Sequence, residues 1–144
     1  MNRIRIGLTE HEASTDPLAE DPRLRGRTYT IPFEDVWQAA IALVSGGLRG
    51  WTLGRSNDQQ GAILALARTP LIGSEADVHV EIGLDINAQT RVDVRVVSRT
   101  ERGDFGRSRR LVGRFLKRLD RQLSARPEQI LDPTAMAAYG NDRP

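Results

Sequence analysis

His79, Glu81, Asp85 and Asp93 could hold a metal, because strand alternation would set imidazole and carboxylate groups on one outward face, a hard-to-borderline ligand set. A solvated strand face with cross-strand charge pairs accounts for the same pattern without a ligand, and is preferred. The only other histidine, His11, lies in the N-terminal arm. The chain has no cysteine, which excludes disulfides, Cys-ligated zinc, iron–sulfur clusters and a thiol nucleophile. Nucleophilic or acid–base catalysis needs a nucleophile, a base and an orienting group that converge. No such set is found, so no catalytic residue, metal or other cofactor is expected.

Two further groupings carry charge in a pattern. Asp93, Arg95, Ser98, Arg99, Asp104 and Ser108 would line a polar pocket where a strand meets the corner before the last helix. An enzyme would draw on Asp93, Arg95, Arg99 and Asp104. The plainer account is ion pairing that fixes strand register, at about 0.2–1 kcal/mol per pair. The second grouping is a basic helix face: Arg107, Arg110, Arg114, Lys117, Arg118 and Arg121. Its guanidinium groups suit carboxylates bidentately, and also suit anionic lipid headgroups. A solvated face whose Arg stems cover the core is the competing account. Neither a P-loop nor a dinucleotide fingerprint is present. Asp104 is placed as the N-cap, where it would occupy the anion site of the helix start itself.

Between Arg99 and Arg126 ten basic residues face three acids, a net +7 in a chain whose total is +2, so the remainder carries −5. Such asymmetry points to an anionic partner or to pairing within the chain. Aromatic content is 5%, and Trp37 and Phe115 fall on apolar helix faces, so nucleic acid is disfavoured. No apolar run is long enough to span a bilayer and no signal peptide is recognisable, so the cytoplasmic side is the default.

The elements that must position these groups follow from periodicity. Residues 1–27 read as an extended arm broken by Asp16-Pro17 and Asp21-Pro22, with a short alternating signal at Ile4, Ile6 and Leu8. A β-like segment at 27–31 precedes Pro32. Val36, Trp37, Ala40, Ile41 and Val44 make one face of a helix over about 33–45, stopped by Ser45-Gly46-Gly47. Strands follow at 51–55, 62–69, 76–86 and 91–99, of which the alanine-rich second also reads as helix. The closing helix runs from about 105 to 124, with Leu111, Val112, Phe115, Leu116, Leu119 and Leu123 as its apolar stripe. Residues 126–144 form a tail. The order α-β-β-β-β-α predicts an α+β domain over 28–125: one antiparallel sheet of four to five strands, two helices on one face, and extended terminal arms.

The run Asn87-Ala88-Gln89-Thr90-Arg91-Val92-Asp93-Val94-Arg95, then Ser98-Arg99, Gly103-Asp104-Phe105-Gly106 and Arg110-Leu111-Val112, resembles the DUF1499 family, bacterial and plastid proteins of unknown function. Val96 and Ser108 stand where the family commonly has Ser and Asn, and the Cys-containing N-terminal segment of many members is missing. The resemblance implies a fold and no catalytic residues. Members associated with photosynthetic or envelope membranes make such a complex the setting it suggests. The expectation is therefore a non-enzymatic accessory or scaffolding subunit, docking through its basic helix face and its termini onto other protein subunits or an anionic membrane surface. The alternative is a small-ligand or lipid-binding module with a polar site between strand 91–99 and the last helix.

Overall fold

A computed structural model describes residues 12–69, 73–99 and 105–131. Seven strands make one sheet: β1 (Glu12–Ser14), β2 (Arg27–Tyr29), β3 (Trp51–Asn57), β4 (Ala62–Arg68), β5 (Glu75–Leu84), β6 (Thr90–Ser98) and β7 (Ile130–Leu131). Two α-helices, α1 (Phe33–Ala42) and α2 (Phe105–Gln122), complete the α+β fold. The spatial order is β3-β4-β5-β6-β2-β7, with β1 beside the far half of β6 and every pairing antiparallel.

The central strands follow their alternation. Val78, Val80 and Ile82 of β5 oppose Val96, Val94 and Val92 of β6, and all six are buried. Ile63, Ala65 and Ala67 of β4 continue this inner face. Pairing on both sides with alternate burial overrides the poor strand propensity of alanine, which settles β4 as a strand. The helices supply the second layer. α1 buries Val36, Trp37, Ala39 and Ala40, and α2 buries Ser108, Val112, Phe115, Leu116 and Leu119. The Phe115 ring stacks on Trp51 at 5.7 Å between centroids, tying α2 to the start of β3.

The expected count of four to five strands is too low by β1 and β7, which lie in the segments read as arms. Neither has an apolar alternation of its own. β1 is held because Ala13 is fully buried against the core and Glu12 ion-pairs with Arg95. β7 is held by pairing of Ile130 and Leu131 with Tyr29 and Thr28. The first helix also ends differently from expectation. Its α-helical bonding stops at Ala42 and widens into a π-helical turn, Leu43–Gly47, closed by Leu48 N–H donating to the Leu43 carbonyl at 2.8 Å. The wider turn keeps Leu43, Val44 and Leu48 all in the core, and Gly46 supplies the φ of 138° that it needs. β3 is an edge strand, with a bulge between Leu53 and Arg55.

Candidate functional site

Helix α2 is amphipathic in the way its sequence predicts, and its two stripes do different work. The apolar stripe is sealed into the core, while Arg110, Arg114, Lys117 and Arg121 stand exposed on the opposite side. At about 1.5 Å rise per residue these four span roughly 16 Å of helix. None of them makes an ion pair or side-chain hydrogen bond among the described residues. The other two residues of the expected basic face are structural. Arg107 donates from Nε to the Thr69 hydroxyl at 3.2 Å and from Nη2 to the Ser74 carbonyl at 3.2 Å, which ties the start of α2 to the loop after β4. Arg118 donates to the Gly47 carbonyl at 3.1 Å and so reaches the π turn.

Several other arginines are spent on carboxylates. Arg27 grips Asp120 through Nε and Nη2 at 3.0 and 2.9 Å. Arg91 holds Asp93 at 2.7 Å, Arg95 pairs with Glu12, and Arg99 reaches both Asp77 at 2.9 Å and Glu75 at 3.3 Å. Arg109 and Arg23 share Asp21, each at 3.2 Å. Burial pushes the Asp21 carboxyl up, but the hydrogen bonds from Arg23 and the charges of Arg23 and Arg109 outweigh it and hold the group below the usual carboxylate range. The four cations on α2 thus have no carboxylate partner among the described residues, while seven arginines do.

A groove of about 640 Å³ runs beside this row, lined by Arg23, Thr69, Arg107, Arg110, Leu111, Gly113, Arg114 and Lys117. Gly113 gives it room for the Arg23 stem. A Cβ at that position would lie 3.3 Å from Arg23 Cδ and 3.4 Å from Cγ, so a larger residue would push the stem away.

The polar pocket expected between the strand and the last helix is divided by the sheet. Ser98 and Ser108 are buried on the helix-facing side. Asp93, Arg95 and Arg99 belong to the alternate set on the open face, and Asp104 lies outside the described residues. Strand parity already carried this signal, since 93, 95 and 99 are odd positions and 98 is even. On the open face Asp93 is fixed by Arg91 and by the Thr15 hydroxyl at 2.8 Å. His79 is exposed between its cross-strand neighbours Leu64 and Arg95. Among the described residues no three His, Asp or Glu side chains are grouped to hold a metal ion.

Sequence reasoning missed two features. Tyr29, fully buried, donates its hydroxyl to Asp120 Oδ1 at 2.5 Å, completing an Arg27–Asp120–Tyr29 lock between β2 and α2. Arg49 and Arg68, exposed and without an ion pair among the described residues, line a second groove of about 630 Å³ with Trp51, Thr52, Leu66 and Glu75. Only the pairing of β3 with β4 brings them together. No helix among the described residues is long and apolar enough to cross a membrane. A family model described as "Protein of unknown function (DUF1499)" matches residues 9–119. No curated protein matches the sequence.

Proposed function

We propose that this chain, which belongs to the DUF1499 family, is a non-enzymatic accessory subunit that docks its basic α2 face onto an anionic surface of a larger, membrane-associated assembly. The observation that carries this reading is the row Arg110, Arg114, Lys117 and Arg121, exposed in one line along α2 with no carboxylate partner among the described residues. A rigid helix that presents charge at fixed spacing has little ordering entropy left to lose on binding, and its field raises the encounter rate with an anionic partner. The groove beside the row supplies an apolar floor at Leu111, so that contact removes some apolar surface from water as well as pairing charges.

The test is co-sedimentation with membranes of the native source and with their detergent-solubilised complexes at low and high salt. The full chain and a triple variant, Arg110→Glu, Arg114→Glu and Lys117→Glu, would be compared. Docking predicts salt-sensitive association that the triple variant loses while its thermal melt is unchanged. Equal behaviour of the two proteins at low salt would refute it.

A further inference from the structure

We infer that the surface met by the α2 face is the β5–β6 hairpin of a second copy of this chain, so that copies join head to tail; this deepens the docking reading and rests on it. Of the three large apolar side chains that the described residues expose, two lie in this hairpin: Leu84 at 63% and Ile86 at 99%. The turn that carries them is fixed. Asp85 Oδ1 accepts from the N–H groups of Asn87 and Gln89, each at 2.9 Å. Asp85 N–H donates to the Gln89 carbonyl at 2.8 Å, and Ala88 N–H to the Asp85 carbonyl at 2.9 Å. Ile86 is therefore a knob on a bonded turn, with little ordering entropy to lose on entering a hole. Its surroundings are acidic. Asp85 precedes it in the turn, and Glu34 and Asp35 open α1 just after Ile31, whose carbonyl accepts from Thr90 opposite Leu84. The arginines of the flanking strands, Arg27 and Arg91, are held by Asp120 and Asp93.

The hole is the groove beside α2. Its floor is the half-buried Leu111, and Arg110, Arg114 and Lys117 on its rim have no carboxylate partner among the described residues. At about 640 Å³ it falls in the size range of clefts that bury a ligand. An aliphatic knob with carboxylates beside it complements an aliphatic floor with cations around it. One chain cannot make this match with itself. Arg107 and Thr69, which line the groove, bond Ser74 at the start of β5, whereas Leu84 ends that strand ten residues and about 30 Å away. Knob and hole on unlike surfaces make a heterologous contact, which repeats from copy to copy as a ring or an open row. Anionic headgroups would repel Asp85 and the α1 acids, so the knob is assigned to protein and not to a bilayer. Both halves lie on one chain, so no other protein has to be invoked.

The experiment is sedimentation velocity of the full chain from micromolar to millimolar concentration, at low and high salt. A knob variant, Ile86→Asp, and a groove variant, Arg110→Glu with Arg114→Glu, would be run beside it. The replaced side chains are exposed, and thermal melts would confirm that both variants fold. The expected result is salt-sensitive self-association of the parent, weakened about ten-fold or more in each variant. A mixture of the two variants should form one-to-one pairs and stop there, because each pair holds one intact knob in one intact groove and has neither left over. A parent that stays monomeric throughout overturns the inference. If it then still associates with native membranes in a salt-sensitive way, docking stands on another partner; if it does not, both readings fall. Self-association indifferent to either variant overturns the match of knob and groove, and a mixture that forms no pairs overturns the head-to-tail arrangement.

Discussion

Replacing Asp120 with Ala should cost this fold more than its surface position on α2 suggests. Asp120 accepts from Arg27 Nε and Nη2 at 3.0 and 2.9 Å and from the Tyr29 hydroxyl at 2.5 Å. The Tyr29 side chain is 0% exposed, so without the carboxylate its hydroxyl is left without an acceptor, at about 1–3 kcal/mol. Arg27 is 23% exposed and can turn to water, which limits its share to about 1 kcal/mol. The expected loss is therefore about 2–4 kcal/mol. Tyr29→Phe removes the donor together with its need for an acceptor and should cost only about 1 kcal/mol. Urea denaturation followed by tryptophan fluorescence would read both as a lower midpoint at unchanged slope. The double variant should fall short of the sum by about 1 kcal/mol or more, because the residues share one bond. An additive cycle, or an Asp120→Ala protein within about 0.5 kcal/mol of the parent, would refute the lock.

The same tyrosine sets an alkaline limit: burial first, and the hydrogen bond to Asp120 second, hold its phenol well above the ordinary 10.0. Below pH 10 folded and unfolded chains are both protonated there; above it only the unfolded chain releases the proton, so stability should fall by about 1.4 kcal/mol per pH unit, a slope that Tyr29→Phe removes in melts across that range. Gly61→Ala places a Cβ 1.9 Å from the Ile82 carbonyl oxygen at a φ of +68°, and should destabilise by about 3 kcal/mol or more in the same denaturation assay. Neutralising Arg110, Arg114 and Lys117 together should move stability by no more than about 0.5 kcal/mol, since none is paired among the described residues; a larger loss would assign them a structural role.

The central sheet was legible because its strands repeat with period two: Val78, Val80 and Ile82, and Val92, Val94 and Val96, leave little choice of face. Both helices were legible from their apolar stripes, to within a few residues at their ends. β1 and β7 were not, since Glu12, Ala13 and Ser14 carry no strand pattern and become a strand only because β6 has a free edge for them. The basic stripe was legible from helical phase but its division of labour was not. That Arg107 and Arg118 are tethers while Arg110, Arg114 and Lys117 bond nothing among the described residues depends on where Thr69, Ser74 and Gly47 come to lie. Arg49 and Arg68 come together only through the pairing of β3 with β4, and no local pattern joins them.

The bulge in β3 bears on behaviour at high concentration. A sheet can polymerise by adding strands wherever a long, flat edge offers its free N–H and C=O groups. The β3 edge is bent between Leu53 and Arg55, with a glycine at the bend and a charge beside it, and the opposite edge ends in a strand of two residues. Neither offers a straight template. At high concentration, copies of this domain therefore meet no long straight edge at β3 or β7 on which to add strands, and Gly54 and Arg55 guard the longer of the two.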